Sequence, residues 1–335
     1  MKKYREIDEI RESGGSANIG TDEDGAIMES LNLNDERFFI IKERAIYEVQ
    51  MADDIDPDRT NIHLPNMIQK LSINQGTESE LVCRTFLTAK RLFKKGSLLD
   101  RIDTARLLHL SLELLQELIA LDNEVSDYMD KEKEVSEKYH SNTKSSFSIP
   151  SISDVVTRCK TIFQKSDHIE QIMMEMIVQF YPNKGLTKQS HYPKFHEVLN
   201  NEYGEKDQFT YFIKNALYFM QVVRLLRNGL DHRLNTVTVS DFELRPDSSI
   251  ISPTIQLDHK DVKMERESLS SFLPTLLENF KTLFENLIAY LSNKHIKPNP
   301  MNFSVKVIPE ERRRNKYIRF ALYSPLGKDG YFDQV

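Results

Sequence analysis

The chain has only two cysteines in 335 residues, Cys83 and Cys159, too far apart in sequence to match any metal-ligand spacing. That argues against a disulfide framework or a zinc ribbon and fits a reducing compartment. No apolar stretch nears the ~20 residues that span a bilayer. The opening MKKYREIDEIRES has basic residues with no apolar run behind them. A cytoplasmic protein without a membrane partner is the expectation. Excess positive charge is missing too: the net charge is -6. Phosphate binding rests on Lys and Arg, so any nucleic-acid site must be a local basic patch. GxGxxG, Walker, GxSxG and HExxH patterns do not occur, which removes the commonest nucleotide, hydrolase and zinc-protease chemistries. No metal and no cofactor is expected.

What the sequence does have is apolar periodicity. With 39% hydrophobic and 29% charged residues it can bury the core of one large domain or two ordinary ones. Residues 1–36, which include SGGSANIGTDEDG, lack apolar spacing and are expected to form a flexible arm. The run FFIIKERAIYEVQM predicts a helix, followed by an irregular loop containing two prolines. A second helix is expected over 77–95, with Thr77 and Glu80 resembling a capping box. The strongest helical signal covers 103–139, where leucines recur at three- and four-residue spacing between Leu107 and Leu121. HSNTKSSFSIPSIS breaks that pattern and places a domain boundary near residue 150. Beyond it, helices are expected over 152–180, 191–200, 206–234 and 268–293. TVTVSDFELRPDSSIISPTIQLDHK reads as a β-hairpin over 236–260.

The expected architecture is therefore mainly α. It comprises a helical bundle over 151–297 with a short β-hairpin insertion, and an additional N-terminal helical region over 37–150. A C-terminal β/basic tail over 298–335, with one or two edge strands, completes it.

Residues 224–233, RLLRNGLDHR, close the 206–234 helix with an unusual density of polar groups. At 100° per residue, with Arg227 at 0°, Asp231 falls at ~40°, Asn228 at ~100° and His232 at ~140°. They form one polar arc, joined by Arg224, opposite an apolar stripe of Phe212, Ala216, Phe219, Val223, Leu226 and Leu230. Gly229 at the margin would let another chain or backbone come close. One reading makes Arg227 and Asp231 an i,i+4 ion pair on a solvated face and His232 a helix-end residue. The other is chemical. His titrates near neutrality and Arg stays charged, which suits acid–base chemistry on a phosphate.

The stretch Arg227-Asn228-Gly229-Leu230-Asp231-His232 resembles the signature of the HEPN superfamily, small helical-bundle proteins with an Arg, usually a polar residue next, and a His after four to six residues. The resemblance covers 151 to about 297 as helical context and this one motif. It implies metal-independent endoribonuclease activity in a homodimer or higher even oligomer, with two motifs facing each other. It also implies a toxin or anti-phage defence role, with an antitoxin or sensor protein as partner. In that reading His232 is the general acid/base, Arg227 binds the phosphate and Asn228 orients them, with Asp231 and Arg224 in support. Asp231 could tune His232 or simply pair with Arg227. The remainder of the chain offers no second motif: RTNIH at 59–63 is one residue short, and Arg101 is too far from His109. The alternative is a non-catalytic helical interaction or adaptor protein that uses the arc as a dimer or partner surface.

Other clusters carry less. His191 and His196 in HYPKFH stand five apart, whereas helical metal sites want i,i+3 or i,i+4 with a carboxylate. The Met-rich DHIEQIMMEMIVQF reads as core. The best basic cluster is ERRRNKYIR, where Arg312, Arg313, Arg314, Lys316, Tyr317 and Arg319 are candidates for binding RNA, or else form a solvated tail offset by Glu310 and Glu311.

Overall fold

The computed structural model describes residues 5–13, 17–33, 37–141, 148–326 and 330–332. The chain divides into two compact units. The first comprises residues 1–98, 103–111 and 298–335, and the second residues 99–102 and 112–297. The division therefore falls around 98–112 and at 297/298, not near residue 150.

The first unit opens with helix α1 (Glu6–Glu12), strands β1 (Ile27–Leu33), β2 (Arg37–Lys42) and β3 (Ile46–Met51), the short α2 (Ala52–Ile55) and β4 (Met67–Ile73). The four strands form one antiparallel sheet in the order β1-β2-β3-β4. FFIIKERAIYEVQM is thus a hairpin, not a helix, with Phe38 paired to Val49 and Ile40 to Tyr47. Its apolar run is short, aromatic and β-branched, and such a run has no period that separates helix from strand. Phe39, Ile41, Ile46 and Val49 are buried on the sheet.

Where it is described, the expected arm contains α1 and β1, and buried Lys42 holds the segment between them. Its Nζ donates to the carbonyls of Ile19 and Thr21 at 2.8 and 2.7 Å. Tyr47 donates to Asp24 at 2.9 Å. Residues 1–4, 14–16 and 34–36 of the expected arm lie outside the described residues.

Next come α3 (Glu80–Val82), a π-helical turn (Cys83–Leu87) and α4 (Thr88–Leu92), with Ser79 as the cap, two residues later than Thr77. Helix α5 (Thr104–Ser141) follows, and from Leu112 it counts in the second unit.

The second unit continues with α6 (Val155–Phe180), α7 (Tyr192–Tyr203), α8 (Gln208–Asp231), β5 (Val237–Ser240), β6 (Glu243–Leu244), β7 (Ile250–Ile251), β8 (Thr254–Asp258), β9 (Lys263–Ser268) and α9 (Leu269–Lys294). The expected hairpin is present. β5 pairs with β8, and β6 with β7 around a turn where Asp247 accepts from the Ser249 amide at 3.0 Å. β9 adds a third strand, in the order β5-β8-β9. Its sequence, KMERES, is too polar to announce a strand. Rings interlock α8 with α7 and α9: Phe209 stacks on Tyr290 at 5.1 Å and meets Phe195 edge-on at 5.7 Å.

The chain then returns to the first unit with β10 (Ser304–Val307) and β11 (Phe320–Tyr323), an antiparallel pair. The expected tail is part of that unit, since Ile308, Ile318, Ala321 and Leu322 are buried in it. About half the chain is helical and 18% is strand, in four small antiparallel sheets among the described residues. The fold is mixed α/β rather than a mainly α bundle. The missed strands are short, and tertiary pairing stabilises them more than local pattern does.

Candidate functional site

Helix α8 is fixed at both ends. Asp207 caps its start by accepting from the amides of Phe209 and Thr210 at 3.0 and 3.4 Å. At its other end Arg233 adopts a left-handed φ of 50°, and the Leu234 amide returns to the Gly229 carbonyl at 2.8 Å. This is a Schellman-type stop. It ends the helix at Asp231, so His232 is the cap residue and lies off the ideal wheel.

The buried face of α8 is Ile213, Met220, Val222, Val223, Leu226 and Gly229, while Phe212, Ala216, Phe219 and Leu230 are only half-buried. The close approach expected at Gly229 comes from the same chain. A Cβ there would collide with Cγ2 of Val237 on β5 and lie 3.0 Å from the Val237 Cβ.

The polar arc meets a polar row on α6. Arg227 Nε lies 3.1 Å from Asp231 and its Nη2 3.8 Å from Asp167, while Nη1 donates to the Asn228 side chain at 3.0 Å. The 3.1 Å contact is an ion pair, not an aligned hydrogen bond. Asp231 also receives Gln164 at 3.1 Å and Lys160 at 3.2 Å. Burial pushes its carboxyl up, but the hydrogen bonds from Lys160 and Gln164 and the charges of Arg227 and Lys160 outweigh that. The carboxyl is held below the usual range. His232 is exposed, and among the described residues only its backbone amide is engaged, donating to Asn228 O at 3.0 Å.

Arg227 and Asn228, with Arg224, line one side of a cleft of about 280 Å³. Asp167 and Glu170 of α6 line it from α6. Lys188 and His191, from the segment entering α7, line it as well. His232 is not among the lining residues. Sequence reasoning missed Lys188 and Glu170 and weighed His191 only as a metal ligand. The available signal was Glu170, an acid set between the buried Ile169 and Met173 in an otherwise apolar stripe.

The basic cluster at 312–319 belongs to the first unit, the motif to the second. Arg312, Arg314 and Lys316 are exposed, Arg313 donates to the Ile308 carbonyl at 3.0 Å, and Lys316 lies 4.6 Å from the Tyr317 ring centre. Tyr317 and Arg319 are half-buried. The cysteines offer no nucleophile. Burial pushes the Cys83 thiol up to about 11 and the Cys159 thiol up to about 12. Among the described residues no cluster of three or more His, Cys, Asp or Glu is placed to hold a metal ion, and no helix is long and apolar enough to cross a membrane. No family model, no curated protein and no solved structure matches the chain.

Proposed function

We infer that the chain is a metal-independent endoribonuclease of the HEPN type, with Arg227 and Asn228 holding the scissile phosphate and His232 transferring protons. The observation that supports this most is local. One helical end presents a guanidinium hydrogen-bonded to its neighbouring amide at 3.0 Å and, one residue past the last turn, an exposed imidazole with no side-chain partner among the described residues. Cleavage by the neighbouring 2′-OH needs those groups: a base for the 2′ proton, an acid for the leaving 5′-oxygen, and fixed positive charge at the phosphorane. The same reading makes the protein a cytoplasmic toxin or anti-phage effector. It acts as an even-numbered oligomer, with an antitoxin or sensor as partner and the first unit as the regulatory part.

An adaptor role is favoured by one observation: Arg227 is already neutralised by Asp231 and Asp167, as a structural pair would be. The deciding experiment is incubation of the purified protein with a labelled RNA pool in EDTA. Cleavage leaving 2′,3′-cyclic phosphate ends, reduced at least ~10²-fold by His232→Ala, is the expected outcome. Equal cleavage by wild type and His232→Ala would move the chemistry elsewhere. No cleavage by the wild type favours the adaptor.

A further inference from the structure

The cleft beside the motif has more positive charge available than the motif itself. Arg227 spends its charge on two carboxylates, whereas Arg224, half-buried, and Lys188 have no ion-pair or hydrogen-bond partner among the described residues. Across from them Glu170 is only 4% exposed. Its Oε1 lies 3.5 Å from Nδ1 of His191, and its Oε2 has no hydrogen-bond partner among the described residues. A buried carboxylate whose Oε1 stands 3.5 Å from Nδ1 favours the tautomer protonated there, which turns Nε2 toward a ligand. A carboxylate orients a catalytic imidazole in the same way in hydrolytic triads. The ring itself is 48% exposed on its side chain, so it is open to a ligand.

We propose that this cleft binds an RNA phosphate on Arg224, Lys188 and Arg227, and that His191, positioned by Glu170, is the second proton-transfer group of the cleavage. The proposal rests on the ribonuclease reading. One imidazole takes the 2′-hydroxyl proton as the 2′-oxygen bonds to phosphorus. The P–O5′ bond breaks, and the 5′-oxygen takes a proton from the other imidazolium. No co-reactant is consumed.

The test compares wild type, His191→Ala, Glu170→Gln, Arg224→Ala and His232→Ala on a labelled single-stranded RNA in EDTA, across the pH range of the reaction. His191→Ala should lower kcat at least ~10²-fold. Arg224→Ala should act mainly on KM. The charged groups that line the cleft with His191 are Glu170 and Asp167 on α6, Arg224 and Arg227 on α8, and Lys188 beside it. Glu170→Gln removes the carboxylate that orients the imidazole without touching the phosphate, so it should lower kcat and leave KM close to that of the wild type. Should Glu170→Gln fail to fold, His191→Ala and Arg224→Ala carry the test, because neither side chain is fully buried.

A second readout is independent of cleavage. The His191 imidazole resonances should shift on titration with inorganic phosphate and with a 2′-deoxy oligonucleotide, and Arg224→Ala should weaken both responses. Full activity in His191→Ala overturns the proton-transfer role while the ribonuclease reading stands. If the wild type cuts no RNA, the ribonuclease reading and the proton-transfer role both fail, and the resonances alone decide the cleft. A shift with phosphate but not with the oligonucleotide overturns the RNA assignment, and no shift with either overturns the cleft as an anion site.

Discussion

Gly229→Ala tests whether the motif's glycine serves packing within this chain. In an open helix the change would stabilise by up to about 1 kcal/mol, and less here because Gly229 lies in the last turn of α8. Against that stands Val237. The new methyl would overlap Val237 Cγ2 and sit 3.0 Å from Val237 Cβ. The Cβ cannot rotate away. Relief requires moving β5, which is paired to β8 through Val237 and Leu257. Overpacking of this kind costs about 1–3 kcal/mol, and the rigid neighbour places it toward the upper end, for a net loss of about 1–2 kcal/mol. Urea unfolding followed by circular dichroism reads the difference as a lower midpoint at unchanged slope. Val237→Ala in the same background removes Cγ2 but not Cβ, so the double variant should recover about half the loss, a coupling of about 1 kcal/mol. A Gly229→Ala protein as stable as wild type, or more so, refutes the argument. The glycine would then be free for a partner's approach.

Arg233 adopts a left-handed conformation that an L side chain enters at a cost. Arg233→Gly should therefore raise stability by about 0.5–1 kcal/mol in the same unfolding assay, and a loss would mean that the Arg side chain contributes contacts of its own. Both thiols should resist a thiol reagent in the native state at pH 8 and react fully in denaturant, because burial holds them above their ordinary range. Rapid labelling of the native protein would contradict the packing around Cys83 or Cys159.

The long helices were legible because each carries its period over many turns. The leucines of α5 and the apolar face of α6 need no partner to be recognised. The four-stranded sheet was not. β2 and β3 are apolar on both sides of a three-residue break, β4 has no clean alternation, and the segment leading into β1 is held by Lys42 bonding carbonyls 23 and 21 residues away, not by side-chain pattern. At the site, the i,i+4 relation of Arg227 and Asp231 followed from spacing alone. The α6 partners Lys160, Gln164 and Asp167 did not, since they lie sixty or more residues away and only the packing of α6 on α8 brings them in. His191 and Glu170 were invisible as a pair for the same reason.

Asp231 separates the two meanings of the arc. Its side chain is 15% exposed and that of Arg227 33%, so their attraction is only partly screened. The fold holds the Asp231 carboxyl below its ordinary range. The group therefore adds stability above its unfolded value near pH ~4, and that stability fades as pH falls through the lower folded value. Asp231→Asn should flatten this acid limb in a pH series of urea midpoints and lower stability at neutral pH. Its effect on RNA depends on what Arg227 does. If Arg227 binds the phosphate, removing its competing carboxylate frees the charge. A partly screened pair worth up to about 1 kcal/mol then converts to a KM lowered by up to about fivefold. If Arg227 exists to tie α8 to α6, the same substitution loosens it, and KM stays level or rises along with the loss of stability. Steady-state kinetics beside the unfolding series distinguishes the two. A destabilised Asp231→Asn protein with an unchanged or higher KM would show that the ion pair is structural and that the phosphate must be held by other cations, with Arg224 and Lys188 the ones left free to do it.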